Sequence, residues 1–159
     1  MCGYILFLLL IQGSIAAIRL LFSDHAGLWL YLPGTLAHEG LHYLTGRLLG
    51  ANPAGISISP VLVDGHRWIL GRVPLRHLTR WNRLAVTLSP LLLYPLVWHM
   101  IHWRLACGWH FSKPDFAWAY LIACLLRLAW PSREDRKLAF EGTAWIMIPA
   151  FGIAVAMGF

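Results

Sequence analysis

The chain has 159 residues, 58% of them hydrophobic and only 13% charged, with a mean hydropathy of +0.61. That is one domain's length at about half the charge of a typical soluble domain, so a conventional soluble domain and a disordered tail are both excluded. The net charge of +6 is no sign of nucleic acid, because the arginines fall in loops between apolar runs, where membrane topology accounts for them better.

Taken in order, the apolar runs predict an all-α polytopic membrane protein of about five transmembrane helices, forming a single domain over 1–159. Gly3 to Leu21 is the first run. Its Ser14-Ile15-Ala16-Ala17 resembles a cleavage region, but no basic segment precedes it, so a retained helix is expected. Ser23 to Gly27 reads as a turn. The second span runs from about Leu28 to Leu49, with Pro33 tolerated in its first turns and Gly50 and Pro53 ending it. Residues 51–83 form the long connection. Ile56, Ile58, Val61 and Val63 favour strand, Asp64-Gly65 is a turn signal, and Trp68 to Leu70 follow, which predicts a small membrane-associated β-hairpin. Pro74 to Arg83 reads as a short amphipathic helix. A third span covers about Leu84 to Trp103, interrupted at Ser89-Pro90 and Pro95. A fourth covers Phe116 to Trp130, and a fifth Leu138 to Phe159, after the break at residues 131–137.

Arginine sets the expected orientation. Arg67, Arg72, Arg76, Arg80 and Arg83 fall in one loop, and Arg133, Arg136 and Lys137 in another. Both are cytoplasmic by the positive-inside rule, and five single crossings then place the N-terminus there too. The expected location is a bacterial inner (plasma) membrane, with the lipid bilayer as a partner. Cys2, Cys107 and Cys124 form no CxxC pattern, so neither a disulfide framework nor a thiolate metal site follows.

Chemistry enters at His38-Glu39-Gly40-Leu41-His42. Imidazoles at i and i+4 share one helix face, the spacing by which one helix offers two ligands to zinc, and the adjacent carboxylate can take a proton from water. With 8 His among 159 residues, chance produces such a match in about one chain in a hundred. The bland alternative is two helix histidines facing other helices with Glu39 bonded to one. An ionised glutamate in mid-membrane is costly, which favours the metal reading.

A catalytic zinc takes three protein ligands and keeps one open position. Asp135 is the first choice for the third, with Glu134 as runner-up and Asp64 as a contender whose place before Gly65 also suits a turn. Glu134 and Asp135 could instead pair with Arg133, Arg136 or Lys137 in a solvated loop. Glu141 could support the ligands. Zinc would acidify its water and polarise a scissile carbonyl, and Glu39 would act as general base. Asn52, His66 or a hairpin N–H could donate to the oxyanion, and an extended substrate could add as a strand beside the hairpin.

These residues resemble the site-2 protease family of intramembrane zinc metalloproteases. The likeness covers Leu28 to Lys137 and rests on the five-residue motif, the hairpin-like loop, Asn82 to Pro90 at the entry to the next span, and an acid after a Pro-containing break. It implies a core over 28–137, ligands His38, His42 and Asp135, Glu39 as the catalytic base, and membrane-anchored proteins as substrates. Trp130-Pro131-Ser132-Arg133-Glu134-Asp135 lacks the glycine that usually follows the family's aspartate, and no PDZ or CBS domain is present, as in a minimal or divergent zincin-like member. Two rivals stand beside it: a membrane haem protein using His99 and His102 with the first pair, and a scaffold that binds metal without turnover.

Overall fold

The computed structural model describes residues 2–21, 24–63, 67–107 and 112–141. Helix α1 is Cys2–Leu21, α2 is Asp24–Leu30 and α3 is Leu32–Leu48. A two-stranded antiparallel hairpin follows, β1 (Val61–Val63) against β2 (Arg67–Ile69), with Leu62 opposite Trp68. Then come α4 (Arg83–Thr87), a 3-10 turn at Ser89–Leu92, α5 (Leu93–Ala106) and α6 (Lys113–Leu128). Residues 133–141 are helical again.

The polytopic membrane architecture is overturned. Among the described residues no helix is long and apolar enough to cross a membrane. A span needs about 20 consecutive apolar residues. The stretch from Leu28 to Leu49 instead breaks at Tyr31, whose φ of −98° and ψ of 6° leave the helical path, and α3 carries His38, Glu39, His42 and Arg47 in 17 residues. The stretch from Leu84 to Trp103 divides into a 5-residue helix, the 3-10 turn and a 14-residue helix. Helix α6 has 16 residues and includes Lys113, Asp115 and Arg127. The multi-pass inner-membrane location and the cytoplasmic N-terminus fall with the spans. The fifth apolar stretch lies outside the described residues beyond 141.

Two smaller expectations also change. Residues 24–27 belong to α2 rather than to a turn. Pro74 to Arg83 forms no amphipathic helix until Arg83 itself. Its first residues are committed elsewhere: the Pro74 carbonyl accepts from Ala54 N–H, and the N–H groups of Arg76 and His77 donate to the Asn52 and Ala51 carbonyls. Satisfied in this way, the amides have no reason to coil. Pro95 does not interrupt α5, because it falls in the first turn.

The core gathers Tyr4 and Leu8 of α1, Leu93 and Val97 of α5, and Ala119, Ile122 and Leu125 of α6, all buried. Much of the apolar excess lies outside this core: Leu6, Leu9 and Leu10 of α1 are each about 60% exposed. Arg104 at the end of α5 donates through Nη2 to Asp115 Oδ2 at 2.8 Å, and Ser112 N–H donates to the same oxygen at 2.7 Å, tying the start of α6 to α5. The Arg104 guanidinium, helped by that amide, holds the buried Asp115 carboxyl well below the usual carboxylate range.

The contact that matters for the site is between α3 and α6. The buried residues of α3 are Gly34, Thr35, His38, His42 and Gly46, four of them on a single i+4 ridge. Gly34 sits at the closest approach: a Cβ there would lie 2.8 Å from the carbonyl carbon of Cys124 and 3.1 Å from Leu128 Cδ1. Backbone cannot step aside as a side chain can. Gly34→Ala is therefore expected to cost about 1–3 kcal/mol or more, read as a lowered thermal midpoint.

Candidate metal centre

Three helix ends meet where the α3 ridge carries its histidines. The last carbonyls of any α-helix lack an internal partner. Leu128 ends α6, and its carbonyl lies 2.7 Å from His38 Nδ1. Val86 is near the end of α4, and its carbonyl lies 2.8 Å from His42 Nδ1, also accepting from Ser89 Oγ at 2.8 Å. A carbonyl can only accept, so each Nδ1 must carry the proton. In the neutral rings both Nε2 atoms are then bare lone pairs.

Those lone pairs face each other and a carboxylate. His38 Nε2 and His42 Nε2 are 3.3 Å apart. Asp135, at the start of the 133–141 helix, brings Oδ2 to 3.4 Å from His38 Nε2 and Oδ1 to 3.3 Å from His42 Nε2. Ligand atoms from all three residues lie within 4.8 Å of one another, so the group could hold a metal ion. Three electron-pair donors packed this closely repel unless a proton or a cation sits among them. A tetrahedral zinc with bonds of about 2.0–2.1 Å spaces its ligands about 3.3–3.4 Å apart. The two Nε2 atoms stand at that spacing, and the carboxylate meets each of them near it through a different oxygen, so the donor set suits zinc. Each histidine is also fixed in tautomer and orientation by a carbonyl on its other nitrogen.

The electrostatics run the same way. Burial pushes the Asp135 carboxyl up, but once the rings are protonated at Nε2 their hydrogen bonds and the charge of His42 outweigh it, leaving the group well below its ordinary range. Burial pushes the His42 imidazole down, but Asp135, the Val86 carbonyl and Glu39 lift it above its usual value on balance. Glu39 is half-buried. Desolvation raises its carboxyl, the two histidines lower it, and Asp135 raises it again, with a net upward shift. The segment after β2 crosses directly over it: a Cβ on Gly71 would lie 2.8 Å from Glu39 Cγ and 2.6 Å from Thr35 Cγ2, and Gly71 has φ of +98°, a conformation that favours glycine.

Of the residues singled out in the sequence, His38, His42 and Asp135 converge. Glu134 is exposed and stands outside the group. Asp64 and His66 lie outside the described residues. Glu141 faces Arg83 at 3.8 Å rather than supporting a ligand. Asn52 has φ of 47° and its carbonyl accepts from Arg76. His102 turns back on its own helix, bonding the Trp98 carbonyl at 2.9 Å and stacking on that indole. His38 and His42, only 3.3 Å apart, can share one ion side by side but cannot take opposite faces of a haem. Sequence reasoning passed over the two carbonyls, which no residue type announces, and Ser132. The Ser132-x-x-Asp135 pattern was the available signal for the last. Comparison with protein-family models, curated proteins and solved structures finds no match to the chain.

Proposed function

We propose that this protein is a zinc-dependent peptide hydrolase in which His38, His42 and Asp135 hold the metal and Glu39 is the general base. The observation that carries the reading is the convergence of His38, His42 and Asp135, whose donor groups approach one another pairwise to 3.3–3.4 Å, with a desolvated carboxyl on the residue beside the first histidine. Zinc, when bound, supplies Lewis acidity toward a carbonyl oxygen and acidifies water toward neutral pH. The rest falls to the chain. Glu39 accepts the proton of the attacking water and delivers it to the departing amine, for which its raised affinity for protons suits it. The missing side chain at Gly71 leaves room for that carboxyl, since a Cβ there would lie 3.1 Å from Glu39 Oε1. The ligand order, two histidines from one helix and an aspartate from a later one, is that of the site-2 protease resemblance. The membrane setting of that family is not carried over.

The purified chain is expected to contain one zinc per molecule and to cleave an unstructured reporter peptide. A chelator should abolish the cleavage and added zinc should restore it. Zinc content without any metal-dependent cleavage would leave the non-catalytic scaffold in its place.

A further inference from the structure

Two Ser-x-x-Asp segments start helices in this chain: Ser112 to Asp115 at α6, and Ser132 to Asp135 at residues 133–141. In a capping box the serine and the third helical residue satisfy each other's backbone N–H. The second box is complete: Ser132 N–H donates to Asp135 Oδ2 at 2.8 Å, and Asp135 N–H donates to Ser132 Oγ at 3.1 Å. The Ser132 carbonyl also accepts from Arg136 N–H at 3.1 Å, so the turn is closed by backbone as well. What differs is where the aspartate looks. Asp115 is spent on Arg104, whereas Asp135 faces both Nε2 atoms.

We infer that Ser132 is a positioning residue for the metal, so that one carboxylate caps a helix and ligates at once. This rests on the metal reading above. A side chain held only by its own torsions could swing away from the histidines. Here the Ser132 amide fixes Oδ2, and the Ser132 hydroxyl fixes the backbone from which the carboxylate hangs. Oδ1 is thereby set 3.3 Å from His42 Nε2. Support of this kind for a ligand changes metal affinity by about 10- to 100-fold.

The test is zinc affinity of the full chain, by competition with a chromogenic chelator. Ser132→Ala and Ser132→Gly should bind zinc about 10- to 100-fold more weakly, the glycine variant with little harm to the helix because glycine is the mildest N-cap replacement. Ser132→Thr, which keeps the hydroxyl, should restore affinity to within about threefold. Ser112→Ala removes the sister box and should lower thermal stability with zinc affinity unchanged. Tight zinc binding in the wild type with unchanged affinity in both Ser132→Ala and Ser132→Gly would remove the positioning role and leave the metal site standing. Equal weakening in Ser112→Ala would reduce the effect to general stability and also overturn it. A wild type that takes up no zinc would bring down the metal reading and this inference together.

Discussion

Glu39→Gln should abolish peptide cleavage while leaving zinc content at the wild-type level. The amide keeps the shape and most of the packing of the carboxylate under Gly71, so the fold has no reason to change. What it loses is the ability to take a proton. Positioned general-base catalysis contributes about 10²- to 10⁴-fold, and a loss of that size in kcat is expected, with KM little altered. Metal analysis on the same sample separates the roles, since Glu39 is not among the three converging ligand residues. A Glu39→Gln variant that cleaves at the wild-type rate would mean that another group moves the proton, and the proposed mechanism would be wrong.

His38→Ala, His42→Ala and Asp135→Ala should each lose stoichiometric zinc. A site with three protein ligands that gives up one is weakened by roughly two to three orders of magnitude or more. Asp64→Ala and Glu134→Ala should keep the metal. Asp135 is the one acid among the described residues brought into the ligand group. Zinc must also displace a proton from His42, whose imidazole Asp135 and the Val86 carbonyl hold above its usual value. Affinity should therefore fall as pH is lowered, the loss setting in above the ordinary imidazole value of about 6.5 because His42 takes up its proton more readily than usual. Full zinc retention in Asp135→Ala would reassign the third ligand.

Some of this was legible along the chain and some was not. The i, i+4 histidines lie within one helix, where spacing alone fixes their relation. The hairpin pairing of Val61–Val63 with Arg67–Ile69 likewise follows from strand formers flanking a short turn. The membrane spans failed because mean hydropathy does not register where a helix stops. The bend at Tyr31 and the 3-10 turn at Ser89–Leu92 cut two apolar stretches into pieces too short to cross. The helix expected over Pro74 to Arg83 failed for a different reason: Asn52 and Ala51, about 25 residues back, claimed the amides of Arg76 and His77.

His38, Glu39 and His42 needed nothing beyond the sequence, because a helix repeats every 3.6 residues and one turn is enough to aim two imidazoles the same way. Only the tertiary structure could place Asp135 against them, across more than ninety residues of chain, and could turn Leu128 and Val86 into supports for the rings. The physical reason is that long-range approach is decided by packing. A missing side chain at Gly34 lets α3 lie on the backbone of α6, and unsatisfied carbonyls at helix ends take whatever donors that contact brings within reach.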